Sequence, residues 1–195
     1  MLILGSVLVV ALAVSASAAT HTVVRGDTMW KIAVKYEVGL SEIKGANPQI
    51  SNYDLIYPGQ VINIPTTDSK VTSYEQEVIR LVNQKRAENG LKALTYDWEL
   101  CRVARYKSQD MKDKRYFSHT SPTYGSPFQM IKNFGISYRS AGENIARGYA
   151  TPEAVVNGWM NSSGHRANIL NSSFTHIGVG YVADGNYWTQ MFISK

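Results

Sequence analysis

A proline-led polar break, Pro65-Thr66-Thr67-Asp68-Ser69-Lys70, limits how this chain folds more than any other feature. Such a segment interrupts both helical and strand periodicity and reads as a linker. It leaves a short unit over residues 20–65, a linker over 66–72 and a longer unit over 73–195. Each unit has to bury its own core. The longer one has ample length for that, and the shorter one sits near the limit at which a core suffices. Covalent help is excluded, because Cys101 is the sole cysteine. One cysteine makes no intrachain disulfide and no multi-cysteine zinc site. Cys101 falls beside Leu100 and Ala104 in a helical pattern, which points to a buried, inert thiol. Apolar residues at 44% and charged residues at 18% fit packed domains rather than a disordered chain.

Charge narrows the partners. Lys and Arg number 20 against 15 Asp and Glu, and the whole net excess of +5 lies in residues 71–195. It is scattered, with no basic run and no Gly-rich phosphate loop, so a nucleic-acid partner is not expected. Residues 1–19 carry no charge. Leu2 to Val14 is nearly all apolar, and Ser15-Ala16-Ser17-Ala18-Ala19 is a run of small residues. That is the pattern of a cleaved secretory signal peptide. The expectation is a secreted protein that is not integral to the membrane after cleavage.

The short unit reads as strand, helix, helix, strand. His21 to Val24 is an extended run, and Asp27 or Thr28 caps a helix carrying Trp30, Ile32, Ala33 and Tyr36. Leu40, Ile43 and Lys44 mark a second helix, stopped at Asn47-Pro48 because proline restricts the residue before it. Tyr57-Pro58-Gly59-Gln60 turns the chain into Val61-Ile62-Asn63-Ile64. The spacing of Trp30 to Ala33 and Tyr36 predicts that its indole faces inward. The ordered motifs VVRGDTMWKIA, NP and YPGQVINIP resemble a LysM domain over the full length of this unit. The resemblance implies binding of glycans built from N-acetylglucosamine, as in peptidoglycan or chitin, in a groove between two loops. On this chain those loops supply Gly26, Asp27, Thr28, Met29, Leu55, Ile56 and Pro58.

In the long unit, Ser73 and Gln76 form a capping-box pair ahead of Val78, Leu81 and Val82, with a stop at Asn89-Gly90. Asp97, Ser126-Pro127 and Thr151-Pro152 open three more helices. Ile177 to Ala183 and Tyr187 to Ile193 alternate as strands around Asp184-Gly185-Asn186, and Ala141 to Ala146 fits a third strand. Asn83 and Arg86 read as hydrogen-bonding supports, Arg166 and Asn168 as fixing the turn after His165, and His176 as a strand-edge residue. Helices bracketing an antiparallel sheet make a three-layer α-β-α sandwich, so the whole chain is α+β.

YFSHTSP, SAGENIA, VVNGWMNSSGHRANILN and FTHIGVGY are similar to motifs of the bacterial branch of the CAP superfamily, the SCP-like extracellular domains. The resemblance implies a central cleft with two histidines and two glutamates that bind a divalent metal, zinc or calcium. His119, Glu143 and His165 match three of the four, while Ser162 stands where the second glutamate would fall. Glu153 lies earlier, at a helix start where the helix dipole already accounts for it. Three readings stay open: a wall-bound glycan-binding protein with a CAP unit of unnamed task, a metal-dependent hydrolase of wall peptide or glycan bonds acting through the same three residues, and a structural protein of the envelope or spore layer with a protein partner.

Overall fold

The computed structural model describes residues 19–195. The expected signal peptide lies outside the described residues, except that Ala19 opens the first strand. Among the described residues no helix is long and apolar enough to cross a membrane.

The short unit has the expected order. β1 (Ala19–Thr22) pairs antiparallel with β2 (Val61–Ile64), and α1 (Met29–Lys35) and α2 (Leu40–Ala46) lie between them in the chain. Thr28 caps α1 by accepting from the Lys31 N–H. Because α1 starts at Met29, its inward positions are Met29, Ile32 and Ala33, spaced three and four apart. These close on Val23, Ile43, Ile50, Ile62 and Ile64. Trp30 falls one residue round the helix and is 54% exposed, which corrects the inward placement read from its spacing. The fully buried Asn47 does more than precede a proline. Its amide donates to the carbonyls of Ile43 and Asn63 and accepts from the Asn63 N–H, tying α2 to β2.

The long unit begins earlier than its capping-box signal. α3 (Ser69–Glu88) is capped by Asp68, which accepts from the Lys70 and Val71 N–H groups, while the Ser73 hydroxyl donates back to the Ser69 carbonyl. Nothing between Ser69 and Thr72 opposes a helix, and Val71 and Tyr74 extend the apolar stripe onto the core. The linker therefore shrinks to Pro65–Asp68. β3 (Thr95–Tyr96), too short to show periodicity, leads into α4 (Trp98–Asp113). Then come α5 (Pro127–Asn133), β4 (Ser140–Arg147), α6 (Pro152–Met160), α7 (Ser163–Ile169), β5 (His176–Val182) and β6 (Tyr187–Ser194). Ser126 and Gln129 complete a reciprocal capping box on α5. The sheet runs β3-β5-β6-β4, antiparallel apart from the short β3–β5 pair.

Alternation along the strands builds the two helical layers. Ile177, Val179, Tyr181, Trp188 and Phe192 pack against α3, α6 and α7, with Val78, Val82, Val156, Trp159 and Ile169. Met191 and Ile193 face α4 and α5, with Leu100, Val103, Ala104, Met130 and Ile131. Gly178 and Gly180 sit against the backbone of α4, where a Cβ would collide with Leu100–Cys101 and Ala104–Arg105. This is the expected α-β-α sandwich. Cys101 is buried in it, accepts a weak bond from the Val179 N–H, and burial pushes its thiol up to about 12.

Candidate functional site

The CAP-like motifs converge at the open edge of β4. Glu143 lies on that edge strand with its side chain 1% exposed. His119 reaches it from the loop after α4, and His165 sits on α7 in the opposite layer. His119 Nδ1 and Glu143 Oε1 are 2.7 Å apart, with the histidine side chain 54% exposed. The hydrogen bond to Glu143 raises the His119 pKa against the opposing effect of burial, so the imidazolium is favoured. Burial, and then the charge of His119, lower the pKa of His165.

The loop that carries His119 rests on a buried cation. Lys107 is 1% exposed, and its ammonium donates to the Ser118 carbonyl at 2.7 Å and the His119 carbonyl at 2.8 Å. Burial lowers its pKa, opposed by Glu143 and Asp110. Asp110, one turn further on, accepts from the hydroxyls of Tyr116, Ser121 and Thr123 and so fixes both ends of the loop. On the other side, Asn144 donates to the His165 carbonyl and to Gln190 Oε1. Asn168 donates to the Glu143 carbonyl and to Asn144 Oδ1. Trp159 Nε1 donates to the Ile145 carbonyl. The outer carbonyls of β4 are therefore covered by side chains from α6 and α7. Among the described residues, two buried side-chain atoms have no protein partner, Glu143 Oε2 and Gln190 Nε2.

The sequence reading named His119, Glu143 and His165, and the structure brings them to one edge. Lys107, Asp110, Asn144 and Gln190 were missed. Polar residues on the apolar face of α4, at Lys107, Ser108 and Asp110, were the available signal. Asn168 ties α7 to β4 rather than only closing its own turn, and Arg166 reaches the Met160 carbonyl. His176 bonds its neighbour Thr175, and Glu153 is exposed on the first turn of α6; the cleft uses neither. Ser162 is the N-cap position of α7 and makes no side-chain cap bond. Among the described residues no group of three or more His, Cys, Asp or Glu side chains stands in metal-holding geometry. Glu143 is engaged as the partner of His119 rather than as a third ligand. As arranged, these residues do not make a metal cage.

A concavity of about 220 Å³ lies on the short unit. Asp27, Thr28, Trp30, Leu40, Lys44, Tyr53, Asp54 and Ile56 line it, together with Met29. Met29, expected to offer apolar surface, is only 4% exposed because it belongs to the core. Gly26, Leu55 and Pro58 lie outside this lining. Asp27 accepts from His21 Nε2 at 2.8 Å and from the Val24 N–H, and these bonds, the first above all, hold its carboxyl below the usual range. Trp30, Leu40 and Lys44 lie outside the two loops read from the sequence, and Tyr53 and Asp54 belong to the second loop, residues 52–58, without being singled out there. An exposed indole, a tyrosine ring, an ammonium and a carboxylate around a shallow groove suit a sugar with polar edges and apolar faces.

Comparison with known proteins accords with both units. The family model described as "Cysteine-rich secretory protein family", CAP, matches residues 79–193, and the LysM domain model matches residues 21–65. The Bacillus subtilis protein YkwD is 64% identical over 127 residues, covering 65% of this chain and 49% of YkwD. The chain therefore spans about half the length of that relative. The spore coat assembly protein ExsA of Bacillus cereus is 52% identical over 46 residues, covering 24% of this chain and 7% of ExsA. A solved extracellular protein containing a SCP domain, from Bacillus anthracis, superposes with a TM-score of 0.62 at 38% identity, over 71% of this chain and 47% of that one.

Proposed function

Since the chain belongs to the cysteine-rich secretory protein family and carries a LysM domain ahead of its CAP domain, we propose that it is an exported wall-associated protein that uses the first to hold glycan and the second to act beside it. The groove between Thr28–Trp30 and Tyr53–Ile56 carries the reading. It presents an indole and a phenol ring next to loop amides, which is what the face and N-acetyl group of an N-acetylglucosamine unit need. Peptidoglycan is the ligand this reading assigns. Tethering raises the local concentration of the CAP cleft at the wall without any further contact. The test is co-sedimentation of the full chain with purified peptidoglycan. The wild type should pellet, and Trp30→Ala, which removes a half-exposed ring outside the buried core, should stay largely in solution. Equal pelleting of both would remove the groove from the account.

A second reading has one observation behind it. Glu143 pairs with His119 through Nδ1 while the histidine side chain stays 54% exposed, an arrangement that suits a general acid–base pair. A hydrolase reading predicts solubilisation of peptidoglycan that disappears in both His119→Ala and Glu143→Gln. Activity that survived in either would place the chemistry elsewhere. An envelope or spore-layer assembly role is the third reading, and the likeness to ExsA supports it. Recovery of no protein partner from envelope extract would count against it.

A further inference from the structure

Both acidic residues that the LysM domain turns toward the CAP domain meet a partner there. Arg102 of α4 sends Nε to Glu42 Oε1 at 2.5 Å, and Nη2 to Glu42 Oε2 at 2.9 Å and to the Ser41 hydroxyl at 2.8 Å. Ser41 in turn donates to Glu42 Oε2. The guanidinium is held before it reaches across. Its carbon lies 4.9 Å from the Phe134 ring centre and 5.4 Å from that of Tyr106. Tyr106 and Phe134 are themselves packed edge to face. A planar, two-pronged cation ordered by aromatic faces loses little freedom on pairing with a carboxylate. The second contact is the Tyr96 hydroxyl, which donates to Glu37 Oε2 at 2.8 Å. Glu37 reaches it from a left-handed backbone conformation with φ of 53°, uncommon for a residue with a Cβ. Gly39 lies between these contacts, and a Cβ there would collide with the Arg102 guanidinium.

From this geometry we infer that the LysM and CAP domains are latched into one body through Arg102–Glu42 and Tyr96–Glu37, with α2 as the shared element. Leu40 and Lys44 of α2 line the glycan groove, while Ser41 and Glu42 of the same helix hold the CAP domain. Bound glycan is thereby fixed in direction relative to the His119 cleft, instead of swinging on the four-residue linker Pro65–Asp68. The inference concerns how the domains are held and stands whatever ligand the groove takes.

Backbone amide nitrogen relaxation of the full chain tests it. In the wild type, amides of both domains report one rotational correlation time. Arg102→Glu and, separately, Glu42→Lys should give the LysM domain a shorter correlation time than the CAP domain, with spectra otherwise unchanged away from the contact. The double exchange Arg102→Glu with Glu42→Lys restores the charge pair and should bring the two times back toward one value. Different times in the wild type, or common tumbling in both single variants, overturns the latch. Gly39→Ala, which leaves the net charge unchanged but crowds Arg102 and Glu42, should separate the times as well.

Discussion

Arg86→Met tests how the fold supports the cleft. Arg86 projects from α3 and is 1% exposed, yet no carboxylate pairs with it among the described residues. Its donors go to three carbonyls: Lys92 at 2.9 Å, Ile169 at 2.7 Å and Asn171 at 2.8 Å. Ile169 is the last residue of α7, so Arg86 closes the C-terminal end of the helix that carries His165. A seven-residue helix has little stability of its own and depends on such contacts. Methionine fills most of the volume and makes none of the three bonds. Each stranded buried carbonyl costs about 1–3 kcal/mol, and water reaching the outermost of them recovers part of that. The sum expected is about 3–5 kcal/mol, a large share of the ~5–15 kcal/mol of an ordinary domain. For a CAP domain of this size that corresponds to a fall in melting temperature of roughly 10–20 °C. Urea unfolding followed by tryptophan fluorescence measures it. Arg86→Lys should recover part of the loss, since one ammonium reaches fewer of the three carbonyls. A loss below about 1 kcal/mol in Arg86→Met would refute the assignment, because that is the worth of a single ordinary hydrogen bond.

Three further outcomes follow from the same contacts. Lys107→Met should destabilise the CAP domain by about 3 kcal/mol and loosen the His119 loop, read as faster amide hydrogen exchange over residues 116–123, because two loop carbonyls lose a charged donor. Gly180→Ala should cost about 3 kcal/mol or more in urea unfolding, since its Cβ meets the α4 backbone and neither element has room to yield. His119 should titrate above the ordinary imidazole value of about 6.5. Its pairing with Glu143 then adds stability that is complete below that value and fades as pH rises through the folded pKa, a small effect at so exposed a ring. Proton NMR titration should show the elevation abolished in Glu143→Gln.

Much of this could be read from the residues, and the failures share a cause. Asp97, Ser126-Pro127 and Thr151-Pro152 open helices as expected, because caps act on the next three residues and need no tertiary partner. Trp30 failed because spacing to Ala33 and Tyr36 fits either of two neighbouring faces. The start of α1 at Met29 chose the one that buries Met29, Ile32 and Ala33. The capping-box signal at Ser73 lost to Asp68 because a good cap does not forbid an earlier one. His119, Glu143 and His165 stand out in the sequence as polar clusters, but only motif resemblance joins them firmly, since sequence separations of 24 and 22 residues carry no periodicity. Lys107 and Asp110 show why: their partners are carbonyls and hydroxyls of a loop whose path the sequence does not disclose. The latch between Arg102 and Glu42 spans sixty residues and has no local signature. The family is described by its cysteines, yet this member keeps one, buried and inert, and relies on packing such as Trp159, Trp188 and Phe192.

The most direct test of the account is an NMR titration of the full chain with a soluble N-acetylglucosamine oligosaccharide. The account predicts shifts at the amides of Thr28, Tyr53 and Ile56 and at the Trp30 indole, with His119 and His165 unmoved. Shifts confined to the His119 cleft, or none in the groove at saturating sugar, would contradict it.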